Sequence, residues 1–174
     1  MITFRIGHTG ILWGFRKEDA VTAIRDVAEL GYLAYETFGQ TIEQYKDEPG
    51  GFAALLDKYD LLLAAAYCPT TFYDPEDAEE DIANCVRWAK LASDLGAETI
   101  VLQAGQRKDV PYPHFQGMAE VFNEIGGEVA KLGLRAAIHA HTGTLIETGD
   151  EIDTILGAVD PSVVGFAPDT GQIM

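Results

Sequence analysis

Cysteine is scarce in this chain: Cys68 and Cys85 are the only two in 174 residues. Two cysteines this far apart make neither a zinc knuckle nor a disulfide framework. Cys85 falls in a helical pattern and reads as packing, while Cys68 follows an apolar run beside a prospective pocket. Basic residues are also few, 12 Lys and Arg against 28 Asp and Glu, for a net charge of −16. Nucleic-acid binding rests on Lys and Arg neutralising phosphates, and anionic membranes recruit basic segments, so the balance speaks against both partners. No apolar run approaches the roughly 18–20 residues of a membrane span. The opening "MITFRIGHTG" lacks the basic start and long apolar stretch of a secretory signal. These absences predict a cytoplasmic chain. The phosphate-cradling glycine patterns are missing too. The turn after the first apolar run is "GHTGILWGF", without G-x-G-x-x-G spacing, and no P-loop occurs.

Hydrophobic residues make up 47% and charged residues 23% of the chain, the balance of a globular protein. The length suits one domain spanning 1–174. Apolar, β-rich runs predict strands at 2–7, 32–38, 61–67, 98–105, 134–140 and 162–168. Helical patterns fill the gaps at 17–31, 50–60, 74–96, 115–133 and 148–159. In the first helix Val21, Ile24, Val27, Ala28 and Leu30 are spaced for one face. Asp74 and Pro75 suit the N-cap and first helical position of the longest helix. Thr148 and Glu151 stand at capping-box spacing. Leu-Gly pairs ending at Gly31, Gly96 and Gly133 precede three of the strands as helix stops. Continuously apolar strands in strict β-α alternation predict an α/β fold with a parallel sheet. Two architectures fit: a doubly wound open sheet, or a (β/α)₈ barrel of which about six units are present.

Polar residues follow nearly every strand: His8, Thr9 and Trp13; Glu36; Tyr67 and Thr70; Gln103 and Gln106; His139 and His141; Asp169 and Gln172. In both architectures the C-terminal strand ends form the ligand face. In "AAIHAHTGTLIET" (136–148), His139 and His141 are two apart, so on a strand they point the same way. They are either a corner that holds a divalent metal or substrate, or a hydrogen-bonded pair in a wet pocket. Glu147 is a further candidate ligand, though helix entry explains it equally. "PDTGQI" (168–173) sets Asp169 at the end of an apolar strand, as a ligand or as a turn-forming Asp. A nitrogen donor from His139 and an oxygen donor from Asp169 suit Mn²⁺, Co²⁺, Fe²⁺ or Zn²⁺ better than Ca²⁺. Glu36 could accept a sugar hydroxyl, serve as a general base, or pair with an Arg. Trp13 stacks on a substrate ring or packs. Tyr67, Phe72 and Tyr73 read as wall and packing.

The stretches "GHTGILWGF", "GYLAYETFG", "ETIVLQAG", "LRAAIHAHTGTLIET" and "VVGFAPDTGQI", in that order along the whole chain, resemble the xylose isomerase-like TIM-barrel superfamily. The likeness is greatest to its sugar phosphate isomerase/epimerase and inosose dehydratase-like branch. The resemblance implies a (β/α)₈ barrel that uses a divalent metal, Mn or Co foremost and Zn, Fe or Mg as alternatives. It implies an isomerase, epimerase or dehydratase acting on a sugar, keto-sugar or inositol derivative by proton transfer next to a metal-bound carbonyl. His139 and Asp169 match the family's metal positions. Glu36 and His141 become the proton-transfer candidates, with His8, Trp13, Gln103 and Gln172 as substrate contacts. Gln172 stands where many members carry His. A full barrel takes roughly 250 residues, so the chain is expected to be C-terminally incomplete, or completed by another copy or polypeptide. The expected partner is a small sugar or polyol, and self-association into a homo-oligomer is compatible with the fold. A non-catalytic sugar-binding remnant is the alternative, and hydrolysis of a small ester or amide a third reading.

Overall fold

The apolar runs fold into a parallel sheet in the computed structural model, which describes residues 6–72, 76, 78–107 and 113–172. Its strands are β1 (Gly7–Thr9), β2 (Ala34–Phe38), β3 (Leu62–Pro69), β4 (Thr99–Gln103), β5 (Arg135–His139) and β6 (Val164–Phe166). Each lies parallel to its neighbour, and their order across the sheet is their order along the chain. A doubly wound sheet reverses direction at a switch point. No reversal occurs, so that architecture is excluded and the sheet is the arc of a barrel.

The connecting helices are α1 (Lys17–Glu29), α2 (Gly39–Glu43), α3 (Gly51–Lys58), α4 (Glu79–Asp94), α5 (Phe115–Lys131) and α6 (Gly149–Ala158), with a 3₁₀ turn at Gly10–Trp13. Three of these helices end as their Leu-Gly pairs predict. Gly31, Gly96 and Gly133 take φ of +83°, +80° and +79°, the left-handed turn that redirects the chain into the next strand. Residues other than Gly, Asn and Asp lose about 1–2 kcal/mol there. The capping box at the start of α6 forms: the Thr148 N–H donates to Glu151 Oε2 at 2.9 Å, and the Glu151 N–H to Thr148 Oγ1 at 3.4 Å.

Several boundaries differ from the sequence pattern. The first strand runs Gly7–Thr9 rather than over 2–7, of which residues 2–5 lie outside the described residues. Helix α1 buries Ala20, Ala23, Ile24 and Val27, while Val21 is 41% and Leu30 67% exposed. The alanines, with Ile24 and Val27, therefore form the buried face, and Val21 lies to its side. Helix α2 was not expected within the second β-α connection. It starts at Gly39, where a Cβ would sit 2.4 Å from Trp88, and its Glu43 accepts bonds from Arg87 and the Trp88 indole N–H. Helix α4 begins at Glu79 after Ala78, whereas Asp74 and Pro75 lie outside the described residues. Its Asp81, 6% exposed, turns back to accept the N–H groups of Thr71 and Phe72, fixing the loop after β3.

The main core lies between the outer sheet face and the helices. Tyr35, Ile100, Leu102 and Ile138 meet Ile24, Met118, Phe122, Ile125 and Ile155 there, all 1% exposed or less. Full burial of each large apolar side chain stabilises the fold by about 1.5–3 kcal/mol. Among the described residues no helix is long and apolar enough to cross a membrane.

Gly96 has open space around its Cβ position, so only its backbone conformation opposes a side chain. Gly96→Ala is therefore expected to lower unfolding stability by about 1–2 kcal/mol, read as a lower urea midpoint with an unchanged slope. An unshifted midpoint would show that the helix stop carries no such strain.

Candidate functional site

Strand alternation decides which residues reach the barrel interior. On β2, Tyr35 (1% exposed) and Thr37 (3%) point outward under the helices. Ala34, Glu36 and Phe38 therefore point inward. Register carries that face across the sheet, through Thr9 opposite Glu36 and Tyr67 opposite Phe38, and on to Gln103 opposite His139. Of these inward residues, Phe38, Tyr67, Gln103 and His139 are joined by ring and hydrogen-bond contacts toward the C-terminal end, and Glu36 hydrogen-bonds Thr9 beside them. The Tyr67 ring lies 5.0 Å from Phe38 and 5.5 Å from His139. Its hydroxyl donates to Gln103 Oε1 at 2.5 Å. His141 adds a ring 5.7 Å from that of His139.

Burial drives the groups of this cluster toward their uncharged forms. The Glu36 carboxyl is raised above its ordinary 4.5 by burial, with a partial offset from a Thr9 hydrogen bond. The Tyr67 phenol is pushed up by burial and then by the nearby Glu36 and Asp169 charges. The His139 imidazole falls below its ordinary 6.5, mainly through burial, against opposing effects of the Ala167 backbone and Asp169. A neutral imidazole is the form that ligates a metal or accepts a hydrogen bond.

Loops after β5 and β6 meet above this cluster. Asp169 Oδ1 accepts the Gly171 N–H at 2.8 Å, and the Asp169 carbonyl accepts the Gln172 N–H at 3.0 Å. Gln172 Oε1 accepts the Thr142 N–H at 3.1 Å, joining the two loops. His141 bonds through Nδ1 to the Thr142 carbonyl at 2.7 Å. The structure thus brings Glu36, Gln103, His139, His141, Asp169 and Gln172 to one end of the arc.

His8 and Trp13 are not brought to it. His8 alternates with the inward Thr9, and its ring packs on Trp13 at 5.4 Å and Tyr32 at 5.1 Å. The Trp13 N–H donates to Asp26 of α1 at 2.9 Å. Both sit on the outer, helix side, because β1 joins β2 in the register that turns Thr9 rather than His8 inward. Glu147 is engaged by Arg107 at 3.3 Å. Tyr67 is the residue that the sequence undersells. It packs as a wall residue, yet its hydroxyl also holds Gln103, and only the register of β3 against β4 reveals that pairing. Tyr73 lies outside the described residues, and Phe72 is in the core.

His139 and Asp169 are of the right chemistry for a divalent ion, a neutral nitrogen and a carboxylate oxygen. Among the described residues, however, no group of three His, Cys, Asp or Glu side chains could hold one. Two donors do not close a site.

Residues 24–174 match the family described as xylose isomerase-like TIM barrel. The chain belongs to that family. It is 26% identical to the inosose dehydratase of Geobacillus kaustophilus (strain HTA426), a match over 98% of this chain and 61% of that protein. Among solved structures, it is similar to the probable 3-DHS dehydratase AsbF involved in petrobactin synthesis from Bacillus anthracis, with TM-score 0.79, 20% identity, and coverage of 98% of this chain and 64% of that one. A D-psicose 3-epimerase solved in the presence of D-fructose gives TM-score 0.76 at 18% identity over 97% of this chain and 64% of the other. The IOLI protein with a binding zinc atom gives 0.72 at 13% over 94% and 62%. This chain therefore spans less than two thirds of the length of each. Its relatives thus include a protein named inosose dehydratase, and a D-psicose 3-epimerase shares its fold.

The raised Glu36 carboxyl has a consequence for stability. Its protonated form is favoured by the fold, so its contribution is present below pH about 4.5 and is lost as pH rises through the folded value. Glu36→Gln is accordingly expected to be more stable than wild type at neutral pH, with the gap closing toward pH 4. Urea midpoints at the two pH values check this, and a gap that widens on acidification would reverse the assignment.

Proposed function

We propose that the protein moves protons beside a carbonyl of an uncharged polyhydroxy compound, as an isomerase, epimerase or dehydratase of a sugar, keto-sugar or inositol derivative. The observation that carries the reading is the geometry of the strand ends, where the carboxyl of Glu36, the imidazole of His139 and the hydroxyl of Tyr67, bonded to Gln103, share one inward face, with burial raising the carboxyl and lowering the imidazole. Such a set of donors and acceptors suits the hydroxyl and carbonyl groups of a polyhydroxy compound. Membership of the family and the kinship with inosose dehydratase point the same way.

Glu36 is the proton carrier in this reading. A carboxyl raised by burial can both release and take a proton nearer to neutrality than an exposed one. His141, at the more exposed rim, is the second proton-transfer group or a hydroxyl contact. Gln103 offers its amide N–H groups to substrate oxygens while Tyr67 occupies its carbonyl. Gln172 keeps its own N–H groups for substrate while its carbonyl receives Thr142. His139 and Asp169 would hold a divalent ion, Mn or Co foremost and Zn, Fe or Mg as alternatives, with further donors from outside the described residues. Such an ion supplies polarisation of the carbonyl. The protein is taken to be one barrel-type domain over 1–174, working in the cytoplasm on a small molecule rather than on nucleic acid or membrane.

The test uses deuterium. Proton abstraction next to a carbonyl exchanges that hydrogen with solvent whatever the final product. In D₂O with added Mn²⁺, the protein is expected to label at least one of a panel of ketohexoses and inososes, seen by NMR. Glu36→Gln should lower that exchange by roughly 10²–10⁴-fold, and Asp169→Ala should abolish metal retention measured by elemental analysis. Exchange with no panel member would sink the proposal. The set of two donors favours a second reading, a sugar-binding protein without catalysis. Saturable polyol binding that survives EDTA, with no exchange, would select it.

A further inference from the structure

Arg107 lies outside the strand-end cluster. It follows β4, and the loop it faces follows β5 and carries His141. Both Oε1 and Oε2 of Glu151 accept from Arg107 Nη2 at 2.7 Å, and Arg107 Nε lies 3.3 Å from Glu147 Oε2. The side chains are 28% exposed for Arg107, 17% for Glu151 and 31% for Glu147, so the contacts are partly withdrawn from water. The backbone joins in at the same place. The Arg107 N–H donates to the Gly143 carbonyl at 2.8 Å, the Leu145 N–H to the Gly105 carbonyl at 2.9 Å, and Gln106 bridges Thr144 antiparallel to it.

The far side of that loop is as tightly held. The His141 N–H donates to the Ile146 carbonyl at 3.0 Å, and Thr144 Oγ1, fully buried, donates to the His141 carbonyl at 2.7 Å. Glu151 also accepts the N–H groups of Glu147 and Thr148 at 3.0 and 2.9 Å. One carboxylate therefore ends the loop, caps α6 and receives the arginine.

We propose that Arg107 is a positioning residue: through Glu151 and Glu147 it clamps the loop after β5 onto the loop after β4 and so fixes where His141 stands relative to His139 and Gln103. The proposal deepens the proton-transfer reading and rests on it only for the role of His141. A charge-assisted hydrogen bond to Glu151, with Glu147 as an ion-pair neighbour and not a hydrogen-bond partner of Nε, is stronger than a neutral contact, and a misplacement of about 1 Å at a reacting group costs on the order of 10²-fold in rate. A lysine keeps the charge but not the fork that reaches both carboxylates.

The experiment compares ¹⁵N-labelled wild type with Arg107→Met, Arg107→Lys and Glu151→Gln by NMR, without ligand or metal. Amide exchange at His141, Thr144 and Leu145 is expected to quicken by roughly tenfold or more in the Met and Gln variants, while Ile138 and Leu102 keep their wild-type rates. The cross-peak between the His139 and His141 rings should be lost in both, and lysine should not restore it. A general loss of stability would instead quicken the strand amides along with the loop. Should Arg107→Met fail to fold, Glu151→Gln and Arg107→Lys carry the test. Unchanged loop amides and ring cross-peak in any folded variant of these two would overturn the clamp. The assay reads the ligand-free protein, so failure of the deuterium exchange would remove the proposed reaction and leave the clamp standing.

Discussion

The burial of one sheet face under the helices is the constraint on which the rest depends. Tyr35, Ile100, Leu102 and Ile138 can reach that core only if their strands present them outward. Because side chains alternate, the same choice turns Glu36, Gln103 and His139 inward. A slip of one residue in any strand would exchange the two sets. It would put a carboxyl under α1 and an isoleucine at the mouth. The apolar outer face is worth far more than the polar inner face, so it sets the register, and the positions of the chemical groups follow.

The inner face then acquires its electrostatic character from its own walls. Tyr67 lies between Phe38 and His139, with Val101 beside it on β4 and Ala65 below it on its own strand. Such surroundings solvate charge poorly. That is why the carboxyl of Glu36 rises and the imidazole of His139 falls, although one is an acid and the other a base. A chain of net charge −16 thus holds a small region whose groups tend to be uncharged. The overall charge governs which macromolecules approach, and the local dielectric governs what the strand ends can bind.

The same hierarchy explains what the sequence discloses. The βα repeat was legible because helix stops and apolar runs are local signals, and Leu-Gly at Gly31, Gly96 and Gly133 does at each place what the pattern implies. His139 and Asp169 were legible because they terminate such runs. His8 was not, because the inward direction on a three-residue strand is settled only by its pairing with β2. The buried face of α1 is hard to read for a related reason: Ala20 and Ala23 are weak hydrophobic signals, yet they are buried while the larger Val21 is exposed. The Tyr67–Gln103 and Arg107–Glu151 pairs join residues 36 and 44 positions apart, and no local pattern encodes such contacts.

Those long-range pairs divide the labour with the core. Hydrophobic packing positions the strands and continues into the loop after β5, where Leu145 and Ile146 are fully buried, but His141 itself stands only partly buried on the outer part of that loop. Polar contacts take over there: Thr144 ties the turn from within, Gln172 joins it to the loop after β6, and Glu151 links it to Arg107 and α6. The capping carboxylate matters most in this sequence of contacts. It satisfies backbone N–H groups that any helix start must satisfy, so these bonds hold its place independently of the arginine. The arginine then adds order to the loop at little cost in freedom for its partner. A residue whose spacing signals only a helix start, Thr148 to Glu151, is in this way coupled to the placement of a histidine at the candidate site.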